Sequence, residues 1–307
     1  MQRPSTPEIA RDFWPSLRVA DWEDTRATLH MWTQIVGKVR LELAPYANHW
    51  WQVPLYVSVR GLTTSPIPYG PRSFEIEFDF IEHSLLIKTS DGQTRQMALE
   101  PRSVADFYRE LIATLDAMGL PVRIWPVPCE VPDPIRFDKD AVHASYDREA
   151  ANRFWQVLVQ VDRIFKEFRG GFIGKCSPVH FFWGSFDLAV TRFSGCRAPD
   201  HPGIPGMPIS MLREAYSHEV SSLGFWPGSG GVDAAFYSYA YPEPAGYRAF
   251  AVRPAEASFN EAMGEFLLAY EGARTSADPD KAILDFAQST YEAAAICGKW
   301  DRAALER

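Results

Sequence analysis

Four landmarks occur twice along the chain, in the same order in each half. Each half has a helix anchored on a tryptophan, a strand that begins with a histidine and two aromatic residues, a strand that carries an acid, and a helix opened by a capping box. The spacing grows from 123 residues for the first landmark to 155 for the last, as expected if the second copy has gained loop insertions. The paired landmarks are Trp32 with Trp155, His49 with His180, Glu75 with Glu219, and Ser103 with Ser258.

Local patterns predict the same kinds of element in each copy. In the first copy, the alternation of residues 50–60 and 74–80 predicts strands, and Asp91-Gly92 marks a hairpin turn. Runs of strands with helices before and after them indicate the α+β class. We therefore expect two tandem pseudo-symmetric repeats, each a helix, about four mainly antiparallel strands and a helix. A C-terminal helix that begins at Asp278 has no counterpart in the first half.

Composition divides the chain into four segments. Residues 1–120 form the first repeat, residues 147–272 the second, and residues 273–307 a C-terminal helix that packs on both, while the proline-rich segment 121–146 connects the repeats. A long loop with four prolines, residues 197–210, interrupts the second repeat. We expect one compact unit with a pseudo-two-fold axis, whose seam is a natural place for a pocket. The two sheets either merge into one or face each other.

Net charge and cysteine usage exclude several classes of protein. The 307 residues carry a net charge of −8 and no block of Lys or Arg, which disfavours binding to nucleic acids or anionic membranes. The four cysteines lie far apart and form no C-x-x-C pair, as is typical of a reducing compartment. Neither an apolar leader nor an 18-residue apolar run is present. The sequence predicts a soluble cytoplasmic protein and identifies neither a cofactor nor an oligomeric state.

The strand that follows the second histidine landmark is the best candidate for the wall of a pocket. Trp183 and Asp187 share one face of it, and the repeat aligns Asp187 with Tyr56. Because Asp187 lies among aromatic residues, its carboxyl group is expected to have a perturbed pKa and to suit acid–base chemistry. The alternative is structural, with Asp187 in a buried ion pair with Arg192 or Arg60.

His218 and Glu219 begin the matching strand of the second copy. Together with His180 and Asp187 they supply the imidazoles and carboxylates that zinc and iron prefer, but their spacing matches no established metal motif. Adjacent strand residues point to opposite faces, so His218 and Glu219 cannot bind one metal ion without a bulge. A metal site therefore stays an alternative to structural histidines.

The most distinctive stretches of the chain are TLHMWTQIVGKVRLELAP (28–45), NHWWQVPLYVSVRGLTTSPIPYG (48–70), SPVHFFWGSFDLAVTRFSG (177–195), AYSHEVSSLGFWPG (215–228) and QSTYEAAA (288–295). Together they resemble an uncharacterised bacterial family, domain-of-unknown-function family 5996. The resemblance covers nearly the whole chain. It implies a bacterial, soluble protein built as a single module, and it implies neither an activity nor a set of catalytic residues.

The leading hypothesis is a protein that binds a small polar or anionic molecule in a cleft at the seam, with acid–base chemistry as a further expectation. Two alternatives stay open: a non-catalytic interaction or assembly module, and a metal-dependent hydrolase with His, Asp and Glu ligands. The candidate catalytic residues are Asp187, His218 and Glu219. The candidate ligand-binding residues are Tyr56, Ser58, Arg60, Trp183, Ser185 and Arg192.

Overall fold

The computed structural model describes residues 13–204 and 207–307. Within these ranges the chain forms seven α-helices and two antiparallel sheets of six strands each, which confirms the α+β class. The first twelve residues of the first predicted repeat, and residues 205 and 206 of the predicted loop, lie outside the described ranges. None of the described helices has the length and hydrophobicity needed to cross a bilayer.

The elements follow one another with short connections in most places. The helices are α1 (Glu23–Leu43), α2 (Val104–Ala117), α3 (Arg148–Gly170), α4 (Ile209–Ala215), α5 (Tyr270–Arg274), α6 (Pro279–Cys297) and α7 (Arg302–Leu305). The strands are β1 (Tyr56–Val57), β2 (Gly61–Thr63), β3 (Ile67–Tyr69), β4 (Arg72–Asp79), β5 (Ser84–Thr89), β6 (Thr94–Ala98), β7 (His180–Phe182), β8 (Asp187–Arg197), β9 (His218–Trp226), β10 (Ala235–Tyr241), β11 (Ser258–Asn260) and β12 (Glu265–Ala269).

The first sheet has the order β1-β2-β4-β5-β6, with β3 paired to the free part of β4. The predicted alternation of β4 is confirmed, because Phe74, Ile76 and Phe78 are buried in the core. The amphipathic helix α2 covers that apolar core, and its predicted cap is also confirmed: the Ser103 side chain accepts a hydrogen bond from the backbone amide of Asp106.

The second sheet has the order β7-β8-β9-β10-β12-β11. The long helix α3 packs on β8, and α6 packs on β9, β10 and α3. Asp278 caps α6, as predicted, by accepting from the amide of Lys281, and Pro279 occupies its first turn. The helices therefore lie on one face of this sheet and leave its other face to loops and polar side chains.

The two sheets meet edge to edge at β1 and β7. The amide of Leu55 donates to the carbonyl of Phe181 at 2.9 Å, and the amide of Phe181 donates back to the carbonyl of Leu55 at 2.8 Å. Next to this bridge, Tyr56 lies beside His180, with their ring centroids 5.4 Å apart. The sheets are thus joined through one antiparallel bridge and do not face each other.

Both halves show the same order of elements. Each has a long helix (α1 or α3), five strands paired in succession and a second helix (α2 or α6) that contacts the first. The C-terminal helix α6 follows its sheet as α2 follows the first, and the expectation that it has no counterpart in the first half stays a prediction. These correspondences support the repeat, and the duplication itself stays a prediction.

The hairpin registers correct the alignment of the two halves. The innermost pair of the β1–β2 hairpin is Val57 with Leu62, and that of the β7–β8 hairpin is Phe182 with Asp187. Each pair encloses a turn of four residues, and Leu62 and Asp187 are the first residues after their turns. Leu62 is therefore the position equivalent to Asp187. The sequence alignment of Tyr56 with Asp187 is wrong, because the aromatic landmarks lie at different distances from the two hairpins.

Two predicted elements are absent from their expected places. Residues 50–60 do not form one strand: His49 and Trp50 have φ values of +58° and +61°, and strand β1 begins only at Tyr56, after Pro54 and the bridge at Leu55. Ser258 does not cap a helix either. It begins β11, and the Asn260 side chain that follows accepts from the amides of Ala262 and Met263 to form the turn into β12.

Candidate functional site

The nine predicted site residues do not converge on one place. Trp183 belongs to the core between the two halves, where it is 4% exposed. Its indole Nε1 donates to the carbonyl of Val53 at 2.9 Å. The ring lies so close to Gly37 of α1 that a Cβ atom there would be 2.3 Å from it. Trp183 therefore fixes the packing of α1 and is unavailable as a ligand-binding surface.

Arg192 is also a core residue. Its guanidinium carbon lies 3.4 Å from the centroid of the Phe168 ring and 4.4 Å from that of Tyr291. It donates to the backbone carbonyl of Phe168, in the last turn of α3, where the helix dipole favours a cation. Burial lowers the pKa of Arg192 to about 10. Its position on β8, five residues from Asp187, places it on the opposite face, so the expected ion pair between them does not form.

Ser58 and Arg60 belong to a closed polar network on the β1–β2 hairpin. Arg60 binds Asp79 through Nε at 2.5 Å, which removes the second expected partner of Asp187. The Ser58 hydroxyl donates to Glu77 at 2.8 Å and accepts from the amides of Arg60 and Gly61. Because the polar groups of Ser58 and Arg60 already have partners within the protein, we interpret their role in the hairpin as structural.

Asp187 is buried and has one side-chain partner. The Tyr237 hydroxyl reaches it from β10 by crossing β9 above Gly224, which pairs with Tyr237. The pKa of Asp187 is raised to about 7: burial is the largest cause, the nearby carboxyl groups of Glu130 and Glu265 also raise it, and the hydrogen bond from Tyr237 lowers it. Between about pH 4 and about pH 7, the carboxyl group of Asp187 is therefore largely neutral, whereas an exposed aspartate is ionised.

Two pairs of hydroxyl groups lie on the same sheet face as Asp187. Tyr216 and Tyr239 are joined by their hydroxyl groups at 2.8 Å, and Thr191 is joined to Ser222 at 3.0 Å. Ser185 lies at the edge of this face and donates to Glu130 at 2.5 Å. These hydrogen bonds join side chains of neighbouring strands and favour a structural role for this face.

His218 and Glu219 point to different surroundings, as expected for neighbours on a strand. Glu219 accepts from the Ser194 hydroxyl at 2.8 Å, and His218 Nδ1 lies 3.0 Å from the Ser217 hydroxyl. Across residues 13–204 and 207–307, no group of three or more His, Cys, Asp or Glu side chains is arranged to hold a metal ion. The hydrolase alternative has no ligand set in this part of the chain.

The seam between the sheets holds a different cluster, which contains one of the nine predicted site residues, Tyr56, together with His180, a histidine landmark that the sequence offered as a metal ligand. The Tyr56 hydroxyl lies 3.4 Å from His180 Nε2, and the Arg40 guanidinium carbon lies 5.4 Å from the Tyr56 ring centroid. On the other side of His180, the Trp51 ring lies 6.0 Å away. We call Arg40, Trp51, Tyr56 and His180 the seam cluster.

The seam cluster carries buried donor groups that lack partners. Arg40 is 7% exposed and His180 is fully buried. Arg40 Nη1 donates to the carbonyl of Thr64 and to the Ser65 hydroxyl, but Arg40 Nε and His180 Nδ1 have no hydrogen-bond partner among the described residues. Buried polar atoms in this state are uncommon in folded proteins and call for an explanation.

Positive charge is concentrated around the seam cluster without carboxylates to balance it. Among the described residues, Arg40, Arg169 and Lys175 form no salt bridge, and their hydrogen bonds go to carbonyl, hydroxyl or imidazole groups. The pKa of His180 is lowered to about 3, mainly by burial and also by the charges of Arg40 and Arg169. His180 is therefore neutral beside a buried cation.

One pattern in the sequence indicates that Arg40 is buried. Trp32, Val36 and Arg40 follow one another at a spacing of four residues on α1, so Arg40 continues the buried stripe of that helix. A charged residue in such a stripe is uncommon and favours a functional interpretation. The partnership with Tyr56 and His180 had no such signal, because it depends on how the two sheets meet.

A surface groove of about 650 Å³ lies elsewhere. It runs along the exposed side of α2 and is bounded by Tyr108, Ile112 and the segment 121–123. None of the nine predicted residues lines it, and it is open to solvent along its length. The groove therefore does not mark the predicted pocket.

The fold and the seam define an α+β protein in which two antiparallel sheets are joined by a single bridge. The chain belongs to a family of unknown function, DUF5996, whose model matches residues 14–307. This confirms the resemblance seen in the sequence. No curated protein matches the chain, and no solved structure does so.

Proposed function

We propose that this protein binds a small anion, a carboxylate or a phosphate, at the seam cluster. The observation that carries the proposal is Arg40: a buried guanidinium with an unpartnered Nε and with no carboxylate in contact among the described residues. A buried cation without a counter-charge costs several kcal/mol, on the order of the desolvation penalty of one ion. A bound anion would offset that cost.

The hydrogen-bonding groups of the seam suit an anion. Arg40 Nη1 is occupied by Thr64 and Ser65, which fixes the guanidinium and leaves Nε available to a ligand oxygen. If the Tyr56 hydroxyl donates to His180 Nε2, the neutral His180 ring carries its proton on Nδ1 and offers a second donor. Two donors held by their own partners are the arrangement by which proteins recognise carboxylates and phosphates.

Arg40→Met is expected to weaken anion binding at least about tenfold, because it removes a charge-assisted hydrogen bond worth roughly 1.5–3 kcal/mol. The measurement is isothermal titration calorimetry at low salt, with inorganic phosphate and citrate as the probes. Arg109→Met is the matched control, since it removes one positive charge from a side chain that is 72% exposed on α2. Equal affinities for the wild type and Arg40→Met, with both proteins folded, would contradict the proposal.

A further inference from the structure

We infer that Lys175 is a reactive amine that condenses with aldehydes or ketones to form an imine, and that His49 acts as its base. The two side chains lie against each other, with Lys175 Nζ 2.7 Å from His49 Nε2. They lie beside Trp51 of the seam cluster: the Lys175 nitrogen is 5.3 Å from the Trp51 ring centroid. The inference concerns the amine itself and does not rest on the proposed anion site.

The protonation state of His49 follows from its other contact. His49 Nδ1 lies 3.1 Å from the carbonyl oxygen of Ala215, which can only accept a hydrogen bond. Nδ1 therefore carries the proton, and Nε2 presents its lone pair to the Lys175 amine. Burial is the largest cause that lowers the pKa of His49, and the charges of Lys175 and His218 also lower it, so the ring is neutral and its Nε2 lone pair is free of a proton.

The local backbone holds this histidine in an unfavourable conformation. His49 has a φ of +58°, which non-glycine residues rarely adopt, and its amide donates to Glu214 at 3.2 Å. Its ring packs between those of Phe193 and Trp51, with centroids 4.7 and 5.1 Å away. Strained residues held by their surroundings in this way are concentrated at functional sites.

Lys175 itself has the surroundings of an activated amine. Burial against its aromatic neighbours lowers the pKa of Lys175, and no carboxylate among the described residues forms a salt bridge with it. Both the lowered pKa and the lack of a paired carboxylate increase the fraction of Lys175 that is in the neutral, nucleophilic form. The residue nevertheless remains exposed, so a small carbonyl compound can reach it.

The reaction balances with these two residues alone. The Lys175 ammonium gives a proton to His49 Nε2, and the amine nitrogen then forms a bond to the carbonyl carbon. A proton moves from that nitrogen to the oxygen to give a carbinolamine. Protonated His49 returns its proton to the hydroxyl group, the carbon–oxygen bond breaks and water leaves. One ammonium and one carbonyl become one protonated imine and one water, with no change of oxidation state.

The test uses the full chain with propionaldehyde and sodium cyanoborohydride, which reduces an imine to a stable secondary amine. Peptide mass spectrometry then gives the rate of modification at each lysine. We expect Lys175 to react at least tenfold faster than Lys299, which is also exposed and forms no salt bridge among the described residues. Propionaldehyde carries no charge, so a failure of anion binding at Arg40 would leave this result unchanged.

His49→Asn is the variant that tests the base. Asparagine tolerates a positive φ better than most residues, so the backbone at position 49 can keep its conformation. We expect the rate at Lys175 to fall to that of Lys299 while the melting curve stays cooperative. Equal rates at Lys175 and Lys299 in the wild type would overturn the inference, and an unchanged Lys175 rate in folded His49→Asn would overturn the role of His49.

Discussion

Asp187→Asn is expected to raise the free energy of unfolding by about 4 kcal/mol at pH 8 and by less than about 1 kcal/mol at pH 4. Burial raises the pKa of Asp187 from its ordinary 3.8 to about 7, so the folded state holds this proton more tightly than the unfolded state. The resulting loss of stability begins as the pH rises through 3.8 and is complete above 7. Asparagine resembles the neutral acid at every pH, and its carbonyl oxygen still accepts from Tyr237.

Urea unfolding of the wild type and Asp187→Asn at pH 4, 6 and 8 measures this difference. Glu265, whose pKa is also raised to about 7 by burial, is present in both proteins, so the difference between the two curves reports mainly on Asp187. Asp200→Asn is the control, because its side chain is 79% exposed. If the free energy of unfolding changed with pH in the same way for the wild type and Asp187→Asn, Asp187 would be ionised in the folded state without loss of stability and would have an ordinary pKa.

Gly224→Ala is expected to destabilise the protein by about 3–5 kcal/mol. The new Cβ would lie 2.1 Å from Cζ of Tyr237 and 2.3 Å from its hydroxyl oxygen, so the ring has to move. Movement of the ring also breaks the hydrogen bond to Asp187 and leaves a buried carboxyl group without its side-chain partner. The overpacking and the lost hydrogen bond therefore both contribute to the expected loss of stability.

Chemical denaturation of Gly224→Ala beside Gly272→Ala separates this clash from the general effect of a new methyl group. Gly272 lies in α5, and no described atom is within 4 Å of the place its new methyl group would take, so its substitution should change stability by less than about 1 kcal/mol. Adding Tyr237→Leu removes the clashing ring, and the double variant should lose less than the sum of the single losses. A Gly224→Ala protein as stable as Gly272→Ala would refute the crossing of Tyr237 over β9.

Local patterns in the sequence were sufficient for much of the fold. The alternation of β4, the Ser103 and Asp278 caps and the α+β class depend on neighbours within a few residues, and the structure confirms them. The failures at residues 50–60 and at Ser258 have tertiary causes: the first segment is held by packing at the seam, and the second pairs with β12.

The candidate site was harder to predict because its residues come together through long-range pairing. The sequence identified Asp187 as a candidate for a perturbed pKa, but its partner Tyr237 lies 50 residues away and is brought near by two strand registers. The alternative of an ion pair between Asp187 and Arg192 rested on the rule that buried charges are usually paired, and it fails because an odd separation on one strand places the two residues on opposite faces. Arg40 and His180 meet only because β1 and β7 join the sheets.

The anion site is tested most directly by the position of a bound anion. Crystals of the wild-type protein soaked in sodium selenate, measured at the selenium absorption edge, show where the oxyanion lies without assumptions about its identity. We expect an anomalous peak at the seam, within hydrogen-bonding distance of Arg40 Nε and His180 Nδ1, and no such peak in Arg40→Met. A seam without the peak, in crystals where selenate is bound elsewhere on the protein, would contradict the proposed function.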